Sequence, residues 1–292
     1  MNPMLPSKLQ SVFGPFLALI VMALFLTNCS GPTNTAKTSQ SSTTRAKNNV
    51  STTTQGSTLP FSTSPGSTTT APSTLKGLTS QQIISLSLKA ANKAGSVHYT
   101  VANTAGGTST AQVGDAQVSS GIQTSSGGGQ GTTTVRLANG NIYVIGDAAA
   151  LSNYNGFNSS DAATYANKWI EYISSEPAYS AIAADLSLGS LLTTSLPSQG
   201  LSKPVKSVVN GQPVMEISGS LVTNTGSNQM MVNITVAISQ VSPFFPIESV
   251  VSGSAGTTAG STTVVFSNWG EQVNVPIPPN PVQCSIISSC GG

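Results

Sequence analysis

The spacing of apolar residues predicts one helix followed by a series of strands. Apolar side chains recur every three or four residues between Thr79 and Gly95, and Thr79 with Gln82 matches the Thr-x-x-Gln capping box of a helix start. Further along, apolar and polar residues alternate, which is typical of half-buried strands. The alternating runs are 97–101, 111–118, 132–146, 231–241, 262–266 and 273–277.

The run at 132–146 contains the clearest turn signal. An Asn-Gly pair at 139–140 is the preferred centre of a two-residue type I′ hairpin. Such a turn places Val135 opposite Val144 and Leu137 opposite Ile142. One face of the predicted hairpin is therefore purely aliphatic.

Residues 147–200 have a different pattern. Short apolar segments at 161–166, 177–184 and 186–196, interrupted by Gly and Pro, predict three short helices. Strand groups on both sides of grouped helices predict an α+β domain with a mainly antiparallel sheet.

The N-terminal residues predict an export signal. Lys8 precedes an apolar run of eleven residues, Phe16–Leu26. As a helix this run rises only about 16 Å, whereas a bilayer core is roughly 30 Å thick, so a cleaved signal is favoured over a membrane-spanning anchor. Leu-Thr-Asn-Cys at 26–29 resembles the lipobox of bacterial lipoproteins. That resemblance implies a signal peptide at 1–28 and an acylated Cys29 that anchors the chain in the cell membrane on its extracytoplasmic face. A leftover thiol beside an ordinary signal is the alternative.

Residues 29–77 are rich in Ser, Thr and Pro and hold too few apolar groups to offset the entropy of ordering, which predicts a disordered tether. The folded domain is predicted at 78–283, with a short tail at 284–292. Cys284 and Cys290 are the remaining cysteines, and in an exported protein such a close pair predicts a disulfide that closes the tail.

Composition excludes several classes of function. The net charge of +2 is too small for the strongly basic surface that a nucleic-acid-binding protein needs. One His and three Cys cannot build a Cys/His zinc site with four protein ligands, so no metal or cofactor is expected. His98 is the only imidazole and no Gly-x-Ser-x-Gly motif is present, while Glu171 and Glu176 are more typical of a solvated surface than of an acid/base pair. We therefore do not expect an enzyme.

Four segments of the chain carry a family resemblance. They are the helix leading into Gly-Ser-Val-His-Tyr at 78–99, Gly-Asn-Ile-Tyr-Val at 140–144, Lys-Trp-Ile at 168–170 and Phe-Ser-Asn-Trp-Gly-Glu-Gln-Val-Asn-Val-Pro at 266–276. In this order they resemble the LppX/LprG-type lipoproteins of actinobacteria, the last segment matching their closing strand pair. The resemblance implies a LolA-like fold: a curved antiparallel half-barrel sheet with helices covering the concave face around a lipid cavity.

What the resemblance implies for function is a monomeric envelope lipoprotein that binds and carries an acylated lipid or glycolipid, with an envelope transport partner. Trp169, Tyr172 and Tyr179 would lie at the ligand mouth or in the core. The aliphatic face of the strands and the leucines of the insertion would line the cavity. These residues are Val135, Leu137, Ile142, Val144, Leu186, Leu188, Leu191, Leu192, Val232, Ile234, Val236 and Ile238. Because core and cavity lining use the same side chains, a cavity-free structural or adhesion lipoprotein of the cell wall stays open as the alternative.

Overall fold

The structure is a computed structural model that describes residues 74–225, 228–255 and 258–290. The predicted signal peptide, Cys29 and the tether up to residue 73 lie outside the described residues. Within the described part of the chain, no helix is both long and apolar enough to span a membrane.

The described residues form twelve strands in one sheet, together with five α-helices. The strands are β1 Ser96–Ala105, β2 Thr108–Gln117, β3 Gly121–Gly127, β4 Thr133–Ala138, β5 Asn141–Gly146, β6 Ile170–Tyr172, β7 Val205–Val209, β8 Gln212–Thr225, β9 Asn228–Ser239, β10 Pro246–Ala255, β11 Thr258–Ser267 and β12 Val282–Gln283. The helices are α1 Ser80–Ala94, α2 Ala148–Asn153, α3 Ser159–Tyr165, α4 Tyr179–Asp185 and α5 Leu188–Ser195, and a 3₁₀ turn spans Cys284–Ile286.

The sheet order is β12-β6-β5-β4-β3-β2-β1-β11-β10-β9-β8-β7. The strand pairs are antiparallel except β12 with β6, which run parallel. The predicted α+β class with a mainly antiparallel sheet is confirmed.

Helix α1 forms because its ends are capped as the sequence predicts. The Gln82 backbone N–H donates to Thr79 Oγ1 at 3.3 Å, and the Thr79 N–H donates to Gln82 Oε1 at 2.9 Å. At the other end Gly95 takes a φ of 77°, a conformation that glycine adopts without strain. The capping-box prediction is confirmed.

The β4–β5 hairpin has the predicted register. Asn139 and Gly140 have φ values of 51° and 79°, as a type I′ turn requires. Val135 lies opposite Val144, and Leu137 lies opposite Ile142. The turn therefore fixes the side of the sheet on which these aliphatic residues lie.

The strand predicted at 273–277 is wrong. After β11 the chain runs without regular structure from Asn268 to Pro281. Its carbonyl groups accept from side chains of other strands: Gln117 Nε2 donates to Val273 O at 3.2 Å and Arg136 Nη1 donates to Pro276 O at 3.0 Å. Prolines in this segment lack the N–H that a strand ladder needs, so alternation alone does not make a strand here.

The five helices pack on one face of the sheet, which we call the inner face; the opposite side is the outer face. Three apolar clusters join the helices to this face. The first joins α2, α3 and α4 to β4, β5 and β6, the second joins α1 and α5 to β1, β2 and β11, and the third joins α1 to β8 and β9.

Candidate ligand-binding face

All twelve predicted cavity residues lie on the inner face or in the helical insertion that covers it. Leu137, Ile142, Val144 and Leu186 are buried in the first cluster, and Val135 packs at its edge. The second cluster contains Leu188, Leu191 and Leu192, and the third contains Val236 and Ile238. Val232 and Ile234 continue the face along β9, each 1% exposed. The structure thus brings these side chains onto one surface, and their role as a cavity lining stays a prediction.

Helix α5 covers the middle of the inner face. Ser187 caps its start, since the Ser190 N–H donates to Ser187 Oγ at 3.2 Å. Its last carbonyl, Ser195 O, accepts from Ser249 Oγ of β10 at 2.6 Å. A Cβ added at Gly189 would meet no atom within 4 Å, so this glycine is not required by close packing. The helix is held by its leucines, by this hydrogen bond at its end and by a backbone bridge between Ser187 and Gln117 of β2 at its start.

Next to the aliphatic part, the inner face carries buried polar side chains, which we call the polar band. They lie on β2, β3 and β4 and alternate with residues of the outer face. The polar band consists of Gln112, Gln123, Ser125 and Thr133. The polar band has no signature in the sequence, because Gln123 and Ser125 on the inner face of β3 alternate with Ile122, Thr124 and Ser126 on the outer face, which is not the apolar-in, polar-out pattern of a half-buried strand.

Part of the polar band is satisfied within the protein. Tyr99 Oη donates to Gln123 Oε1 at 2.9 Å, and Gln123 Nε2 donates to Ser125 Oγ at 3.1 Å. Burial raises the pKa of Tyr99 far above its usual range, with the charges of Asp185 and Asp115 adding to the effect. The tyrosine therefore stays a neutral donor.

Gln112 is the exception in the polar band. Its side chain is 5% exposed, and its Oε1 has no hydrogen-bond partner among the described residues. Ser87 Oγ on α1 is likewise buried without a partner in this part of the chain. Buried polar atoms in native proteins are hydrogen-bonded in the large majority of cases. An acceptor of this kind can take a hydrogen bond from a bound group or from water. Tyr154 Oη and Asn155 Oδ1 are also buried without a partner among the described residues.

The residues considered for catalysis are separate from the inner face. His98 Nδ1 lies 2.7 Å from Asp115 Oδ1, and both side chains point from β1 and β2 to the outer face. Glu171 Oε1 accepts from Asn141 Nδ2 at 2.8 Å, also on the outer face. Burial raises the pKa of Glu176. The described residues contain no group of three or more His, Cys, Asp or Glu side chains that could hold a metal ion.

The three aromatic residues of the insertion have different surroundings. Tyr172 is 2% exposed and belongs to the first cluster. Tyr179 Oη donates to Gly140 O at 2.6 Å and closes the hairpin turn against α4. Trp169 lies under the Arg136 guanidinium, with 4.4 Å from the Arg136 Cζ to the ring centroid. Tyr172 therefore packs in the core, and the other two brace neighbouring elements.

The C-terminal tail packs against the first cluster and contributes Cys284 and Ile287 to it. Cys284 and Cys290 form the predicted disulfide, and Ile287 between them is buried. Asp161 of α3 accepts from the Ser289 N–H at 2.9 Å and from the hydroxyl groups of Ser288 and Ser289 at 2.7 and 2.6 Å. These hydrogen bonds lower the pKa of Asp161.

The outer face carries a separate groove of about 400 Å³. It crosses β11, β1, β2 and β3 and is lined mainly by outer-face side chains such as Thr100, Val113 and Val265. Val101 and Gln112, whose side chains belong to the inner face, are also among its lining residues. Its lining contains none of the twelve predicted cavity residues.

Comparisons with known proteins find only distant similarities. No protein-family model matches the chain, and no curated protein matches it. Among solved structures, the lipoprotein LppX of Mycobacterium tuberculosis is 18% identical with a TM-score of 0.41, covering 68% of this chain and 100% of its own. LprF from Mycobacterium bovis is 13% identical with a TM-score of 0.42, covering 70% and 100%. A LolA superfamily protein from Nitrosomonas europaea is 9% identical with a TM-score of 0.26, covering 66% and 93%.

Proposed function

We propose that this chain is an envelope lipoprotein, anchored by an acylated Cys29, whose inner face binds an amphiphile and carries it. The expected ligand is a lipid or glycolipid, with acyl chains against the aliphatic part of the face and a polar linkage beside the polar band. The observation that carries the proposal is the unsatisfied, buried Oε1 of Gln112 next to the aliphatic strands. A protein core that served packing alone would gain by an apolar residue there, because an unpaired buried polar atom destabilises by about 1–3 kcal/mol.

The helix layer supports a binding role. Four of its five helices have eight residues or fewer, namely 6, 7, 7 and 8. Helices of this length owe their stability to packing rather than to their own hydrogen bonds. Replacing the contacts of α5 with those of an acyl chain, at about 0.8 kcal/mol for each CH₂ group buried, would keep the total burial of apolar surface similar. No chemistry beyond binding is required of the chain.

A test uses residues 29–292 with Cys29→Ser, exported behind a cleavable signal so that the chain carries no acyl group of its own. Native mass spectrometry and lipid extraction are expected to find co-purified amphiphile. Repeated absence under mild conditions, with no uptake of a fluorescent fatty acid, would contradict the proposal.

Two tryptophan variants localise the binding. Ile234→Trp adds bulk on the inner face and is expected to lower the bound lipid. Val113→Trp, on the outer face at a position 44% exposed, is the matched control and is expected to leave the lipid unchanged. Equal lipid content in both variants would place binding away from the inner face.

A second function is favoured by a different observation. Nine of the twelve predicted cavity residues are packed in the three clusters with helix residues. That packing fits a solid core and hence a structural or adhesion lipoprotein of the cell wall. In this case Ile234→Trp would overpack the core and lower the free energy of unfolding by about 1–3 kcal/mol. Neither the parent chain nor the variant would then carry lipid.

A further inference from the structure

Five lysines lie on or next to α1 and the start of β7, and we call them the basic surface. All five side chains are exposed. They come from the turn before α1, from α1 itself and from the segment leading into β7. They are Lys76, Lys89, Lys93, Lys203 and Lys206.

Contacts between these elements bring the lysines to the same side of the sheet. The Ser80 hydroxyl at the start of α1 donates to Ser202 O, which places Lys203 beside the helix. Lys206 pairs with Met215 across the β7–β8 ladder, and Met215 packs with Ile83 and Ile84 of α1. The basic surface therefore lies on the helix-covered side of the β7–β8 half of the sheet.

Most acidic residues lie away from this surface. Asp115 pairs with His98 on the outer face, whereas Glu271 lies beside the end of α1, where its carbonyl oxygen accepts from Ser96 Oγ at 2.6 Å. In the β7–β8 half of the sheet, Glu216 and Glu248 alternate with inner-face residues and lie on the outer face. Asp185 ends α4 near Tyr99. Four further acidic residues, Asp147, Asp161, Glu171 and Glu176, belong to the other half of the molecule around β5, β6, α2 and α3. Among the described residues, none of the five lysines has a carboxylate oxygen within 4 Å of its ammonium nitrogen.

The basic surface is also where the predicted tether joins the domain. The described chain begins at Thr74, and Leu75 is buried in the third cluster with Ile83 and Ile84. Lys76 follows directly. Upstream, the sequence between Cys29 and Thr74 contains Lys37, Arg45 and Lys47 and no acidic residue. A chain anchored at Cys29 would therefore enter the domain next to Lys76.

We infer that the basic surface docks on the headgroups of an anionic phospholipid bilayer. Clusters of four to eight basic residues next to a membrane attachment are typical of such docking, and each lysine near the surface strengthens it roughly fivefold. Docking turns the helix layer, and with it the inner face, toward the bilayer. The interaction is screened by salt because the Debye length is about 10 Å at 0.1 M ionic strength. The inference holds whether or not the inner face carries a ligand.

The experiment measures sedimentation of residues 29–292 carrying Cys29→Ser with vesicles of phosphatidylcholine alone or with added phosphatidylglycerol. The parent chain is expected to bind only the anionic vesicles, and salt is expected to release it. The triple variant Lys89→Gln, Lys203→Gln, Lys206→Gln is expected to lose about a hundredfold in vesicle affinity, from three lysines at roughly fivefold each.

The matched control removes the same charge from the tether, with Lys37→Gln, Arg45→Gln and Lys47→Gln, and is expected to lose much less. Equal losses in both triple variants would overturn the inference, because net charge would then suffice. Equal binding to neutral vesicles, or equally strong binding to soluble heparin, would overturn it as well. Circular dichroism checks that the domain variant folds. Lipid content measured on the same samples separates failure of docking from failure of the proposed carrier function.

Discussion

At the scale of single residues, Gln112 separates a binding face from a solid core. Gln112→Leu removes the unsatisfied amide and keeps a similar volume, so we expect the free energy of unfolding to rise by about 1 kcal/mol or more. If the amide pairs with the polar part of a ligand, the same variant retains less lipid after purification. Urea denaturation of delipidated protein and lipid extraction measure the two effects separately.

The matched control for Gln112 is its neighbour Gln123. Gln123→Leu breaks the hydrogen bonds with Tyr99 and Ser125 and leaves a buried tyrosine hydroxyl without its acceptor. This variant is expected to lose about 1–3 kcal/mol of unfolding free energy. If Gln112→Leu destabilises the protein as much as Gln123→Leu does, the polar band is structural and Gln112 has no role in binding.

Asp161 gives a prediction on pH. Because hydrogen bonds from Ser289 and Ser288 lower its pKa in the folded state, the ionised carboxylate stabilises the fold above the unfolded pKa of about 3.9. That stability is lost as the pH falls through the lower, folded pKa. We expect Asp161→Asn to lower the melting temperature at neutral pH and to match the wild type in strong acid. A difference that does not depend on pH would contradict this assignment.

At the scale of elements, the stability of α5 can be changed by a substitution that leaves its packing contacts intact. Gly189 lies inside the helix where a Cβ has open space, so Gly189→Ala is expected to stabilise the protein by about 0.5–1 kcal/mol. If α5 must move for a ligand to leave, the variant also releases a fluorescent fatty acid more slowly. Stopped-flow release and thermal melting measure both quantities.

Gly114 on β2 is the control for Gly189, because the same substitution by alanine there meets closely packed atoms instead of open space. A Cβ at Gly114 would lie 2.5 Å from Ile122 O of β3 and 2.6 Å from Tyr99 Oη, so Gly114→Ala forces both the β3 backbone and the buried ring to move. Overpacking of this kind destabilises by about 1–3 kcal/mol. Slow release in Gly189→Ala without a gain in stability would show that the effect does not come from the helix.

The elements also show how far the sequence predicts the fold. Helix α1 and the β4–β5 hairpin are predicted correctly because a capping box and an Asn-Gly turn act locally. Strand β3 was not predicted because its inner positions belong to the polar band. The segment at 273–277 alternates like a strand but receives its hydrogen bonds from the side chains of Gln117 and Arg136. Whether β3 and the segment at 273–277 form strands is therefore decided by contacts with residues far away in the sequence, which a local pattern does not encode.

The candidate site follows the same division. The side of the sheet on which the aliphatic residues lie is set by period-two alternation, and the structure agrees with it at Val135, Leu137, Ile142 and Val144. Gln112 was not predicted, since a polar residue becomes informative only when its burial is known. The space between these side chains and the helices depends on packing distances, and these are not contained in an alternating pattern.

At the scale of the whole molecule, charge is divided along the chain. Seven of the eleven basic residues and none of the nine acidic residues precede Asp115. In the folded domain five lysines lie on or next to α1 and β7. The region of β5, β6, α2 and α3 carries four carboxylates, together with Arg136 and Lys168. If the predicted tether holds the domain at an anionic surface, this uneven charge would favour one orientation, and the tether would limit only the distance.

The last prediction concerns what holds the molecule at the membrane. The apolar run Phe16–Leu26 has eleven residues and rises about 16 Å as a helix, roughly half a bilayer core. Without an acylated Cys29, only the charges of the basic surface and of the basic residues in the predicted tether would attract the protein to the membrane. Salt screens this attraction. Cell fractionation is therefore expected to find Cys29→Ala in the membrane fraction at low salt and in the soluble fraction after a salt wash, whereas the wild type stays with the membrane in both. Labelling with a fatty acid should mark the wild type alone. A Cys29→Ala chain that resists the salt wash would instead identify the apolar run as an uncleaved anchor, since neither acylation nor surface charge could then account for its retention.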